Sequence, residues 1–110
     1  MTGQTTAETL YKMNKMKTEI LKALAGHQEE IRRKYKAEVK GLFGSFARGE
    51  ERGDSDVDIL VDFTEHADLF DYVGLGLFLE EKLNRKIDVV PQSSLRKEIK
   101  ANVLRELVLI

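Results

Sequence analysis

The chain has 110 residues, fewer than an average domain of roughly 150, so one compact unit is expected rather than a two-domain enzyme. Hydrophobic residues make up 42%, enough for a core without staples, and Cys 0 excludes disulfides and thiolate metal sites. A net charge of −1 removes any broad positive field, so neither general nucleic-acid coating nor an anionic membrane surface is expected, and direct nucleic-acid binding is not predicted.

No apolar run approaches the roughly 18 residues that span a bilayer, and Met1 to Thr6 is polar with no signal-peptide core, so a cytoplasmic chain is the expectation. Charged residues at 34%, a single proline and the lack of repeats argue for order beyond the first few residues. From Glu8 to about Tyr35, Leu10, Met13, Met16, Ile20, Leu24, Ile31 and Tyr35 recur at helical steps apart from a gap near His27. One or two amphipathic helices follow, with Gly26 as the candidate break because glycine costs about 1 kcal/mol relative to alanine inside a helix.

Ala37 to Phe43 alternates as a first strand and ends at Gly44-Ser45. After the turn-prone stretch Gly49 to Ser55, the run Asp56 to Phe63 puts Val57, Ile59, Val61 and Phe63 on one face. Asp56, Asp58, Leu60 and Asp62 fall on the other, so this second strand has a buried face and an acidic one. Asp68 suits an N-cap for a helix over Leu69 to Leu83, in which Gly74 and Gly76 would permit close packing against the sheet. Lys86 to Val90 reads as a third strand stopped by Pro91, and Leu95 to about Leu107 as a closing helix.

The order α-β-(α)-β-α-β-α predicts an α/β or α+β fold, a small mixed sheet with helices packed on one face. A short link makes the first two strands antiparallel, and a right-handed crossover lays the third parallel beside the second. Gly44-Ser45, Asp56 and the third strand then meet at one end of the sheet.

Asp56 and Asp58 are two apart, so their carboxylates leave the same strand face roughly 6 to 7 Å apart at the backbone. Two acids held so repel each other and are better ligands than structure. Hard oxygen donors suit Mg²⁺, which takes its remaining ligands from water and substrate phosphates. Asp88, between the core-facing Ile87 and Val89, can add a third carboxylate. Gly44-Ser45 opens a short helical turn whose N–H groups and Ser45 hydroxyl could hold a phosphate, with Arg48 and Arg52 as cationic donors nearby. These parts compose a metal-plus-phosphate site for a nucleoside triphosphate.

Gly44-Ser45, then ten residues, then Asp56-Val57-Asp58, an apolar strand and the later Asp88 resemble the signature of the DNA polymerase β-type nucleotidyltransferase superfamily. Within it, the run G-S-F-A-R-G-E-E-R-G-D-S-D-V-D-I-L-V-D-F and the short length resemble the minimal nucleotidyltransferases that act as antitoxins beside HEPN-domain toxins. The resemblance implies a nucleotidyltransferase palm fold over 16–110, with 1–15 a flexible or helical extension. It implies Mg²⁺-dependent transfer of AMP from ATP onto a tyrosine hydroxyl of a partner HEPN-type RNase toxin, in a hetero-oligomer. By the same resemblance Asp56 and Asp58 hold both metal ions, Asp88 completes the site, and Gly44 and Ser45 bind the β and γ phosphates, with Arg48 as a further phosphate contact.

A chain this short has no room for an acceptor domain, so a partner must present the acceptor. The apolar run Val103, Leu104, Leu107, Val108 and Ile110 and the N-terminal helix are candidate docking surfaces. A non-catalytic antitoxin that blocks its toxin sterically and a small-molecule nucleotidyltransferase are the alternatives.

Plainer readings hold elsewhere. Asp54, Asp56, Asp58 and Glu65 match calcium-loop positions, but the required glycine is Ile59 and the following run is strand-like. His27 and His66 lack metal-ligand spacing, and Arg32, Arg33, Lys34 and Lys36 read as a solvated helix face. Phe43, Phe46, Phe70 and Phe78 are expected in the core, with Tyr11, Tyr35 and Tyr72 in packing roles. Asp54, Asp62 and Asp68 read as ordinary loop or solvent-facing acids.

Overall fold

A computed structural model describes residues 7–49 and 56–110. Its elements are α1 (Ala7–Tyr35), β1 (Ala37–Phe43), α2 (Gly44–Ala47), β2 (Val57–Phe63), α3 (Leu69–Leu83), β3 (Ile87–Pro91), a 3₁₀ turn (Gln92–Ser94), α4 (Lys97–Glu106) and β4 (Val108–Leu109). The four strands lie in the order β3-β2-β1-β4. β1 runs antiparallel to β2, and the crossover through α3 lays β3 parallel to β2, both as the connection lengths predict.

α1 is continuous, and Gly26 does not break it. An added Cβ there would meet nothing within 4 Å, so this glycine is a tolerated exposed position whose propensity cost is outweighed by packing on either side. The apolar gap near His27 has a positive explanation. The Gln28 side chain pairs with the backbone of β1 in both directions, Nε2 donating to the Val39 carbonyl at 2.9 Å and Oε1 accepting from its N–H at 2.8 Å. His27 meets the Phe78 ring edge-on, with centroids 5.4 Å apart. The helix ends at Lys36, whose φ of 54° is the left-handed turn that closes many helices.

One hydrophobic cluster fills the space between the sheet and the pair α1 and α3, with Leu24, Ile31, Leu42, Ile59, Val61, Leu75 and Leu79 fully buried. The outer side of β2 differs from the expected acidic face. Leu60 is fully buried there and the 3₁₀ turn packs near β2, so the face is acidic only at its ends, Asp58 and Asp62. Lys82 to Lys86 carries the chain back through Asn84 in a left-handed conformation, φ 53°.

The C-terminus adds an element that the alternation does not predict, β4. Val108 and Leu109 pair with Leu42 and Gly41 as an edge strand and Val103 is buried, while Leu104 and Ile110 of the C-terminal apolar run remain exposed. Gly41 admits that strand because a Cβ there would run into the Val108 carbonyl. Gly74 packs closely as expected, but against Tyr35 of α1 rather than the sheet, at 2.9 Å from its would-be Cβ. Phe70 is not a core residue, at 86% exposed, and Tyr11 is 67% exposed. The basic residues at the end of α1 form ion pairs: Arg32 with Glu38, Lys34 with Glu30 and Lys36 with Asp71. Among the described residues no helix is long and apolar enough to cross a membrane.

Candidate active site

The strand registers assemble the site. Phe43, the last residue of β1, lies opposite Asp58 of β2, and Asp58 lies opposite Asp88 of β3. The chain turns immediately after Phe43 through Gly44, whose φ of +80° is open to glycine. A Cβ at that position would strike the Asp58 carboxylate, so Gly44 is required both by its dihedral and by the close approach of its backbone to the acid. Ser45 follows at the start of α2, and no side chain caps that helical turn.

Asp58 is half-buried and its carboxyl is pushed up to about 6, first by burial, then by Asp88 beside it and by Asp56. Arg48 opposes the shift. The sequence-predicted acids are thus electrostatically coupled at one sheet end, with Asp58 and Asp88 side by side and Asp56 one residue ahead of β2.

Arg48 sits near this cluster but its guanidinium also donates to Glu106 of α4, at 3.1 and 3.3 Å. Arg52 and Asp54 lie outside the described residues. The calcium-loop coincidence has no counterpart, since Asp58 to Phe63 are strand. His66 is exposed beside Glu65.

Three residues that support the turn were not singled out in the sequence for this role. Phe46 of α2 is buried in the core, and the Arg85 guanidinium stacks on its ring at 4.9 Å. Lys17 of α1 donates from Nζ to the Ala47 carbonyl at 3.1 Å. An apolar residue inside an otherwise polar turn is the one signal that pointed to Phe46. Lys17 and Arg85 carry no local signal, because their partners are distant in sequence.

The donor set fits Mg²⁺. Among the described residues no group of three or more acids or histidines is arranged to hold an ion by itself. Magnesium asks for less, one or two carboxylates completed by water and substrate phosphates. The paired Asp58 and Asp88 are such donors, and the Asp58 carboxyl, raised first by burial and then by the neighbouring acids, would be relieved by a cation.

A mixed sheet with an acid pair at one end, abutted by a glycine turn, places this chain among small α/β proteins. The chain belongs to the nucleotidyltransferase domain family, whose sequence model matches residues 24–110, and it is a nucleotidyltransferase enzyme. It is 44% identical over 92 residues to the protein adenylyltransferase MntA of Thermococcus cleftensis, covering 84% of this chain and 93% of that one. A Methanocaldococcus jannaschii protein assigned as a protein adenylyltransferase is 40% identical over 83 residues, 74% of this chain and 96% of that one.

Among solved structures, one assigned as a minimal nucleotidyltransferase superposes with a TM-score of 0.67 at 37% identity, over 82% of this chain and 95% of that chain. A toxin-antitoxin crystal structure with AMP-PNP superposes with a TM-score of 0.52 at 26% identity, over 64% of this chain and 58% of that chain.

Proposed function

We infer that this chain transfers AMP from ATP, with Mg²⁺, onto a tyrosine hydroxyl of a partner HEPN-type RNase toxin, and so acts as its antitoxin in the cytoplasm. The observation that carries the reading is Asp58, paired with Asp88 across the sheet and held against Gly44. Similarity to a protein adenylyltransferase and to a chain of a toxin-antitoxin crystal structure with AMP-PNP supports the donor and the class of acceptor. The catalytic unit in this reading is 16–110, with 1–15 an extension.

Each residue then has a physical task. Gly44 and Ser45 present backbone N–H groups and a hydroxyl to the β and γ phosphates, and Arg48 adds positive charge. Asp56, Asp58 and Asp88 would hold two Mg²⁺ ions, which supply charge neutralisation of the triphosphate and acidify the acceptor hydroxyl. The acceptor oxygen bonds to the α-phosphorus while the bond from that phosphorus to the β-phosphate's bridging oxygen breaks. Pyrophosphate leaves, and the hydroxyl proton passes to a carboxylate oxygen of Asp88.

Three mutually repelling acids kept together are a burden that a purely steric blocker has no physical need to carry. The test is protection of cells that express the toxin. Asp56→Asn with Asp58→Asn is expected to abolish protection while the protein still accumulates and folds. Full protection by that variant would contradict catalytic neutralisation and support steric blocking.

A further inference from the structure

The outward face of α3 is apolar where a surface helix is ordinarily polar. Leu69, Val73 and Leu77 fall four apart on one stripe, with Phe70 beside it, and they are 71%, 49%, 63% and 86% exposed. The opposite face of the same helix buries Asp71, Leu75 and Leu79. A helix that is apolar all round is normally covered all round, and the described chain covers one side only. Exposed apolar patches of this kind mark interaction sites.

Two observations say what covers it. The first is charge. The stripe is flanked by Glu65 and Asp68 at its N-terminal end and by Glu80, Glu81 and Lys82 at its C-terminal end, where Lys82 lies 4.0 Å from Glu81 and leaves a net acidic end. A second copy laid on this stripe would set acid against acid at both ends in either direction, which is costly. A different protein with an apolar helix flanked by Lys or Arg is complementary.

The second is continuity with the site. A cleft of about 240 Å³ between α3 and β3 is lined by Tyr72, Val73, Leu77, Glu80 and Asp88. β3 is an edge strand, so this cleft opens to solvent along the sheet margin, with Asp88 on its lip.

We propose that the outer face of α3 is the docking surface for the acceptor protein, which seats a basic-flanked apolar helix on Leu69, Phe70, Val73 and Leu77. A partner held there reaches the acid pair around the β3 edge, which positions the acceptor. The assignment rests on the proposed protein acceptor, and its test separates the two.

Binding of a purified HEPN-type toxin from the same genome would be measured by calorimetry against the wild type, Phe70→Glu with Leu77→Glu, Phe70→Leu, and Asp58→Asn, with ATP affinity measured in parallel. The double glutamate variant is expected to bind the toxin about tenfold or more weakly while its ATP affinity holds. Phe70→Leu should stay within about twofold, and Asp58→Asn should bind the toxin normally without transferring to it. Unchanged toxin affinity in the double variant overturns the proposal. So does a wild type that fails to bind the toxin, or one that sediments as a dimer which the double variant splits. Wild-type binding that depends on Phe70 and Leu77 but yields no transfer upholds the docking face and contradicts protein adenylylation.

Discussion

Asp58 bears the electrostatic cost of the site. Its carboxyl rises from 3.8 to about 6 through burial and the neighbouring Asp88 and Asp56. The folded chain therefore holds that proton more tightly than the unfolded chain, and stability falls as pH rises between about 3.8 and 6 and stays lower above. In EDTA, Asp58→Asn is expected to remove this loss, so its melting temperature should gain on the wild type as pH rises through that window. Parallel pH profiles for the two would contradict the assignment. With Mg²⁺ and ATP present, the same substitution should cost transfer on the order of a hundredfold or more, because it removes a carboxylate that would hold the Mg²⁺ neutralising the reacting phosphates.

Gly44 makes the complementary case. Alanine there must adopt a left-handed conformation, costing roughly 1 to 2 kcal/mol, and its Cβ collides with Asp58. Gly44→Ala is expected to lower both the melting temperature and ATP affinity, and retention of both would sink the proposed role of this turn. Gly44, Ser45, Asp56, Asp58 and Asp88 were legible in the sequence because strand alternation and spacing express them locally. The Arg48–Glu106 pair, the Lys17 hydrogen bond to Ala47 and the Arg85–Phe46 stack were not, since each joins segments that only the folded chain brings together.

At the scale of elements, α3 was the most legible because its start is written in polar chemistry. Asp68 accepts from the Asp71 N–H and Asp71 accepts from the Asp68 N–H, both at 3.0 Å, a reciprocal cap. Asp68→Ala should cost about 1 kcal/mol, read as a fall in melting temperature of about 4 to 8 °C. A melt unchanged within error would show that tertiary packing alone sets this helix. β1 and β2 were legible from alternation and the turn between them. β4 was not, because two residues make no periodic signal and the strand depends on Gly41 leaving room for its backbone. The unbroken α1 was obscured for a related reason: Gln28 is a polar residue serving the core by pairing with β1.

For the whole molecule, the order β3-β2-β1 follows from one short link and one crossover, both readable from segment lengths. What the sequence concealed is which apolar residues stay outside. Phe70 and Leu77 look like core residues in a hydrophobic run, and only the placement of α3 over β3 shows that they face away.

The proposed function turns on one chemical step, the transfer of AMP onto a protein. The most direct test is the intact mass of a HEPN-type toxin from the same genome after incubation with the chain, ATP and Mg²⁺, beside an Asp56→Asn/Asp58→Asn control. The prediction is a gain of whole AMP units with the wild type and none with the control. An unmodified toxin in a stable complex that still silences it would contradict adenylyl transfer and leave a binding antitoxin on a nucleotidyltransferase fold.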